Sequence, residues 1–160
     1  MSKDKIPITQ AVRALRQAKA DFEPYFYNYE EKGGTEVAAR ELKVDEHQVI
    51  KTLVFEDEQQ EPLVMLMHGD KHVSTKNLAR QLGRKAVEPC SPARVGKLTN
   101  YQIGGVSPFG TLKKMPVYVE KSILTLPYIY INGGKRGFLV KLMPAEITRI
   151  LAASPVEAAY

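Results

Sequence analysis

The chain has 160 residues, 44% of them hydrophobic, with a mean hydropathy of −0.27 and a net charge of +5. This length predicts a single domain with a sizeable core, and no apolar stretch approaches the roughly 20 residues a membrane helix needs. One cysteine, Cys90, excludes an internal disulfide, and the polar start Met1-Ser2-Lys3-Asp4-Lys5 lacks the apolar core of a secretion signal, so a cytoplasmic protein is expected.

Thr9 to Ala20 reads as an amphipathic helix, with Ala11, Val12, Leu15 and Ala18 on its apolar face and Thr9 as its N-cap. Tyr25 to Tyr29, rich in aromatic residues, reads as a strand. Gly33-Gly34 breaks the chain before a helix over Thr35 to Leu42. Asp45-x-x-Gln48 has the form of a capping box on a short helical turn that delivers the chain to Lys51. The run Lys51 to Phe55 turns back into Leu63 to Met67 as a hairpin. Ser74 can cap a helix ending near Leu82, with Gly83 beyond its end. Ser91-Pro92 opens another, the proline sitting where a missing N–H costs least. Val117 to Val119, Tyr128 to Ile131 and Phe138 to Leu142 read as late strands, and Pro144 opens a closing helix through Leu151. With no repeat, linker or regular βαβ rhythm, the expected fold class is α/β of the mixed α+β kind, a single domain over residues 1–160.

Charge is segregated along the chain. Residues 21–61 hold twelve acidic and four basic side chains, whereas residues 71–114 hold nine basic ones and a single acid, Glu88. The basic segment is either a polyanion-binding face or a solvated surface, and the segregation favours nucleic acid.

Chemistry centres on Lys51, at the mouth of the apolar run Thr52-Leu53-Val54-Phe55. Taken alone, it reads as a stem packed on the sheet with its ammonium in water. Downstream lie two glycine-rich loops, Gly104-Gly105-Val106-Ser107-Pro108-Phe109-Gly110 and Asn132-Gly133-Gly134-Lys135-Arg136-Gly137. Such loops let backbone N–H groups approach a developing oxyanion, although ordinary turn chemistry explains most glycine pairs. Ser107 does not sit in a G-x-S-x-G elbow, and no triad can be assembled around it. His47 reads as exposed, and His68-Gly69-Asp70-Lys71-His72 spans a turn whose spacing does not imply zinc. Cys90 has no assigned base, so neither metal nor cofactor is expected.

The segments Ile50-Lys51-Thr52-Leu53, Gly104-Gly105-Val106-Ser107-Pro108 and Gly133-Gly134-Lys135-Arg136-Gly137, in this order and spacing, resemble the YbaK/EbsC family of aminoacyl-tRNA deacylases. The resemblance runs from Thr9 to about Leu151 and is strongest to the Cys-tRNA(Pro) deacylase branch. It implies a curved, partly barrel-like mixed sheet flanked by helices, and a trans-editing enzyme that cleaves the ester of mischarged tRNA. In that branch the substrate's own thiol attacks its ester, leaving the protein to supply position and electrostatics. By resemblance Lys51 is catalytic, holding the 3′-terminal ribose or phosphate. Tyr27, Thr52, Gly104, Gly105, Ser107, Pro108, Asn132, Gly133 and Gly134 would bind the substrate, and Lys113, Lys114, Lys135 and Arg136 the tRNA. The implied partners are tRNA and prolyl-tRNA synthetase, with no membrane. Asn132 replaces the Ser of the cysteine branch and the His of alanine-editing relatives, and Glu31-Lys32-Gly33-Gly34-Thr35 lacks a Phe that the cysteine branch carries. Two alternatives therefore stay open: a deacylase for another small amino acid such as Ala or Ser, and a non-catalytic tRNA-binding module assisting prolyl-tRNA synthetase.

Overall fold

Strand Pro62–His68 has every residue buried, the pattern of a strand covered on both faces, and the architecture is built around it. A computed structural model describes residues 5–160; the polar start at residues 1–4, on which the expectation of no secretion signal rests, lies outside the described residues. In chain order the elements are α1 (Gln10–Gln17), β1 (Glu23–Phe26), α2 (Gly34–Leu42), β2 (Val49–Asp57), β3 (Pro62–His68), α3 (Thr75–Leu82), β4 (Val87–Pro89), α4 (Pro92–Thr99), β5 (Val117–Glu120), β6 (Ile129–Lys135), β7 (Phe138–Leu142), α5 (Ala145–Leu151) and β8 (Ser154–Val156). Two short 3-10 turns, Glu46–Gln48 and Lys121–Thr125, precede β2 and follow β5.

The strands form one mixed sheet in the order β1-β7-β6-β2-β3-β5-β8, with β4 on a further stretch of β2. Hairpins β2–β3 and β6–β7 are antiparallel, whereas β6 meets β2, and β5 meets β3, in parallel. This is the mixed α/β single domain expected from the sequence. No helix among the described residues is long and apolar enough to cross a membrane.

Side-chain alternation divides the interior. Ile50, Val54, Val64 and Leu66 face a main core with Ala11, Val12 and Leu15 of α1, Leu98 of α4 and Ile147 of α5. Phe55, Leu63, Met65 and Met67 point the other way, onto Leu78 and Ala79 of α3. Val49, Tyr130 and Leu139 pack against Ala38 and Ala39 of α2. Each such large apolar side chain contributes roughly 1.5–3 kcal/mol by leaving water.

Local signals mostly act as their chemistry dictates. The side-chain oxygens of Thr9, Ser74 and Ser91 accept from Val12, Asn77 and Arg94 N–H, and Gly83 ends α3 in the left-handed region. Two expectations need correction. The aromatic strand runs Glu23–Phe26 rather than to Tyr29, because the chain leaves β7 after Tyr27 N–H bonds Gly137 O at 3.0 Å. The Asp45 motif is an Asx turn and not a capping box: Oδ1 accepts from His47 N–H, while the Gln48 side chain reaches Tyr128 O instead. Strands β4 and β8 escape the pattern, each being three residues with a proline.

Candidate active site

β2 changes partner halfway along its length, and the gap this leaves is the heart of the site. It pairs with β3 throughout residues 50–56, but on its other edge it meets β6 only at Val49 and Ile50 and β4 only from Phe55. Strand groups alternate sides. Val49 O accepts from Gly69 N–H and Asp57 N–H bonds Glu61 O, so odd residues of β2 turn towards β3. Val54 O accepts from Cys90 N–H, so even residues turn to the opposite edge. Thr52 lies in the break, its N–H and C=O facing an edge where no strand pairs with it. Its Oγ1 is buried and also without a hydrogen-bond partner.

The break exists because β6 peels away. A register irregularity between Asn132 and Lys135 bends β6 off β2, and Asn132 fixes the bend. Its Oδ1 accepts from Gly134 N–H at 2.6 Å and Lys135 N–H at 3.1 Å, while Nδ2 donates to Gly104 O at 3.2 Å. Arg136 adds a second tie: Nε donates to Ile103 O at 2.8 Å and its guanidinium lies 4.9 Å from the Tyr29 ring centroid. The loop holding Gly104 is thus clamped to the β6–β7 turn, with Gly104 itself at φ +91° beneath the Tyr29 hydroxyl.

Between these walls is a cavity of about 500 Å³, its sides formed by Tyr27, Tyr29, Ala38, Ile103 and Leu139, with Lys51, Thr52, Gly104, Asn132 and Arg136 also lining it. Lys51 Nζ donates to Lys71 O just after β3. Burial draws the Lys51 pKa below the ordinary lysine range, and the carboxylates of Glu46 and Asp70 oppose that shift. Burial raises the Tyr27 phenol, with Tyr29 adding to the effect, so Tyr27 stays a neutral donor.

The fold therefore gathers Tyr27, Lys51, Thr52, Gly104 and Asn132 around one cavity. Gly105, Gly133 and Gly134 are not among the residues that line it. The N–H of Gly105 bonds Gln102 O and that of Gly134 bonds Asn132, so neither is free for an oxyanion as the glycine-loop reading requires. Ser107 is fully buried with Oγ accepting from Phe109 N–H, and Pro108 borders a second, smaller cavity of about 250 Å³. Lys114 is on the rim of that second cavity, whereas Arg136 lines the first. Tyr29 is a site residue beyond those expected from the sequence, and the alternation Tyr25, Tyr27, Tyr29 is the signal that points to it. The basic segment is less free than its composition implies, since Arg84 pairs with Asp57 and Arg94 with Glu56, each at 2.9 Å.

The other titratable groups are held in structural bonds. The Cys90 thiol, buried and donating to Glu56, has its pKa pushed up to about 11. His47, expected to be exposed, instead stacks on His68 with ring centroids 3.7 Å apart. Its Nδ1 bonds Asp70, while both ring nitrogens of His68 are taken by His47 O and Ser122 Oγ. Ligand atoms of His47, His68 and Asp70 lie within 4.8 Å of one another, but these bonds already engage both nitrogens of His68.

Residues 30–150 match the model of the aminoacyl-tRNA editing domain. The chain is 30% identical over 140 residues to EbsC of Enterococcus faecalis, a candidate Cys-tRNA(Pro)/Cys-tRNA(Cys) deacylase, spanning 87% of this chain and 85% of that protein. It is 31% identical over 105 residues to a proline–tRNA ligase of Streptococcus pyogenes, covering 66% of this chain and 17% of the ligase. A crystal structure of a candidate trans-editing enzyme for prolyl tRNA synthetase superposes with a TM-score of 0.82 at 22% identity, covering 98% of this chain and 99% of that one. With a cavity walled by the segments that carry the resemblance and a match over three quarters of its length, the chain belongs to the aminoacyl-tRNA editing domain family and is a deacylase of the YbaK/EbsC type.

Proposed function

We propose that this chain, as one editing domain, acts in trans on Cys-tRNA(Pro) and positions the substrate for attack by its own thiol. The substrate sulfur bonds to the ester carbonyl carbon and the carbon–oxygen bond to the ribose breaks. The ribose oxygen takes the thiol proton, releasing cysteine thiolactone and a free tRNA 3′ end. Lys51 holds the ribose or phosphate and the apolar walls exclude water. The observation that carries this reading is that the serine and the cysteine the sequence offers as nucleophiles both lie outside the cavity and are committed elsewhere: Ser107 is sealed in a turn and the Cys90 thiol is strongly protonated. Asn132 is not placed to hold an attacking water through its amide oxygen. Both lone pairs of its Oδ1 already accept from backbone N–H groups, so it has no acceptor to offer one.

The deciding experiment is product analysis by mass spectrometry with a thiol trap. Trapped cysteinyl thioester is the expected result; free cysteine carrying solvent oxygen in its carboxylate from the first turnover would refute the thiolactone route. Cys90→Ala and Ser107→Ala should each keep the chemistry, and Ser-tRNA(Pro) should react far more slowly than Cys-tRNA(Pro), because a hydroxyl attacks poorly at its high pKa. Ester loss from none of Cys-, Ala- and Ser-tRNA(Pro) would leave the tRNA-binding module that assists prolyl-tRNA synthetase.

Binding to tRNA should weaken as salt rises, through release of phosphate counterions. Lys113 and Lys114 are exposed, Lys114 on the rim of the second cavity, and Lys135 stands exposed on the β6–β7 turn. Replacing Lys113 and Lys114 together by Ala should lower affinity and flatten the salt dependence by up to about two phosphate contacts. A slope equal to that of the wild type would put the polyanion surface elsewhere.

A further inference from the structure

The break in the ladder at Thr52 leaves its backbone N–H and C=O on an edge of β2 that no strand pairs with, beside a side-chain hydroxyl that is buried and has no hydrogen-bond partner. Buried polar groups are almost always paired, so such a residue marks a place where something else completes the bonds. The break is also built. Asn132 uses its amide oxygen and one N–H to hold the bend in β6, and Cys90 N–H resumes the ladder at Val54.

Within a strand, the N–H and C=O of one residue point to the same edge, and a neighbouring strand answers with one acceptor and one donor. An extended aminoacyl ester carries that complement on one edge, an α-ammonium and a carbonyl oxygen joined through a single Cα.

We propose that Thr52 binds the aminoacyl group itself as a one-residue strand, its N–H donating to the ester carbonyl oxygen and its C=O and Oγ1 accepting from the α-ammonium. This rests on the reading of the cavity as an aminoacyl-ester site. It moves the main oxyanion donor from the glycine loops, whose Gly105 and Gly134 N–H groups are consumed, to the edge of β2. It also makes recognition independent of the amino-acid side chain, which is left to the walls. This is strand addition reduced to a single residue. Free carboxylic acids that lack the ammonium would fill only half of the pattern.

The test uses a stable probe, cysteine joined by an amide to 3′-amino-3′-deoxyadenosine, and its counterpart without the α-amino group. Binding of both is measured to wild type, Thr52→Val and Thr52→Ser. Thr52→Val keeps the shape but removes an unpartnered hydroxyl, so its Tm should equal or exceed that of the wild type. Its affinity for the probe should nevertheless fall by roughly tenfold, the scale of one hydrogen bond to a charged group. Loss of the α-amino group should weaken wild-type binding and matter much less in Thr52→Val, a coupling that a structural role would not produce. Thr52→Ser keeps an oxygen acceptor and should bind as wild type. Equal binding by Thr52→Val, additive losses, or no binding of the probe to wild type would each overturn the assignment. Deacylation of Cys-tRNA(Pro) by wild type is followed separately: loss of the assignment with deacylation intact leaves the enzymatic reading standing, and the reverse outcome removes only that reading.

Discussion

Replacing Lys51 by Ala is expected to cut kcat/KM for deacylation by at least about a hundredfold, the scale of losing one preorganised charge at a reacting centre. Lys51 emerges from β2 into the cavity, reaches Lys71 O, and is kept cationic in a partly desolvated setting by Glu46 and Asp70. A charge in that position interacts more strongly with a phosphate or ribose oxygen than one in open water. Lys51 belongs to none of the buried apolar clusters, so the variant should unfold within a few degrees of the wild type. Lys51→Arg should also be impaired, because a planar fork cannot take the place of a compact ammonium bonded to one carbonyl. Steady-state kinetics with circular dichroism and thermal melts make the check. A folded alanine variant with wild-type turnover would return Lys51 to the role of a lysine snorkelling from a sheet.

Gly105→Ala should damage stability and activity together. A Cβ at this position would lie 2.8 Å from Arg136 N and 2.9 Å from Lys135 C, backbone atoms that cannot rotate aside. Either the Gly104 loop or the β6–β7 turn must shift, and the bonds from Asn132 to Gly104 and from Arg136 to Ile103 stretch with it. Overpacking of this kind costs about 1–3 kcal/mol, which in a domain of this size lowers Tm by roughly 2–10 °C. Assayed well below its melting point, the variant should still be slower than the stability loss explains, because the wall of the cavity has moved. A variant melting like the wild type would mean that the two loops are not clamped as described.

How much of this was readable beforehand differs from element to element. The helices announced themselves through Thr9, Ser74, Ser91 and Gly83, residues whose side chains or conformational freedom act on bonds within four positions. The hairpin β2–β3 was equally local. Strands β4 and β8 were not, since Val87-Glu88-Pro89 and Ser154-Pro155-Val156 have no alternation of their own and are strands only because distant β2 and β5 pair with them. The same limit applied to the site. Lys51, Thr52 and Gly104 stand in segments whose order resembles a known family, and Asn132 departs from that pattern, but no residue type reveals the break in the ladder at Thr52. What singles it out is the identity of its neighbours, β6 departing at Ile50 and β4 arriving near Val54, which no local pattern encodes. Gly134 offers no N–H to an oxyanion for a related reason: the side chain of Asn132, two residues earlier, consumes it.

The shortness of the break in β2 has a consequence for self-association. Exposed strand edges invite other chains to zip onto them, and proteins ordinarily blunt them with charge, proline or a covering element. Here the unpaired edge is bounded at Ile50 by β6 and at Val54 by the bond to Cys90. A foreign strand, which needs several consecutive residues to gain a foothold, meets occupied ladder on both sides. The protein can thus keep unpaired backbone on offer beside its cavity without providing a seed for aggregation.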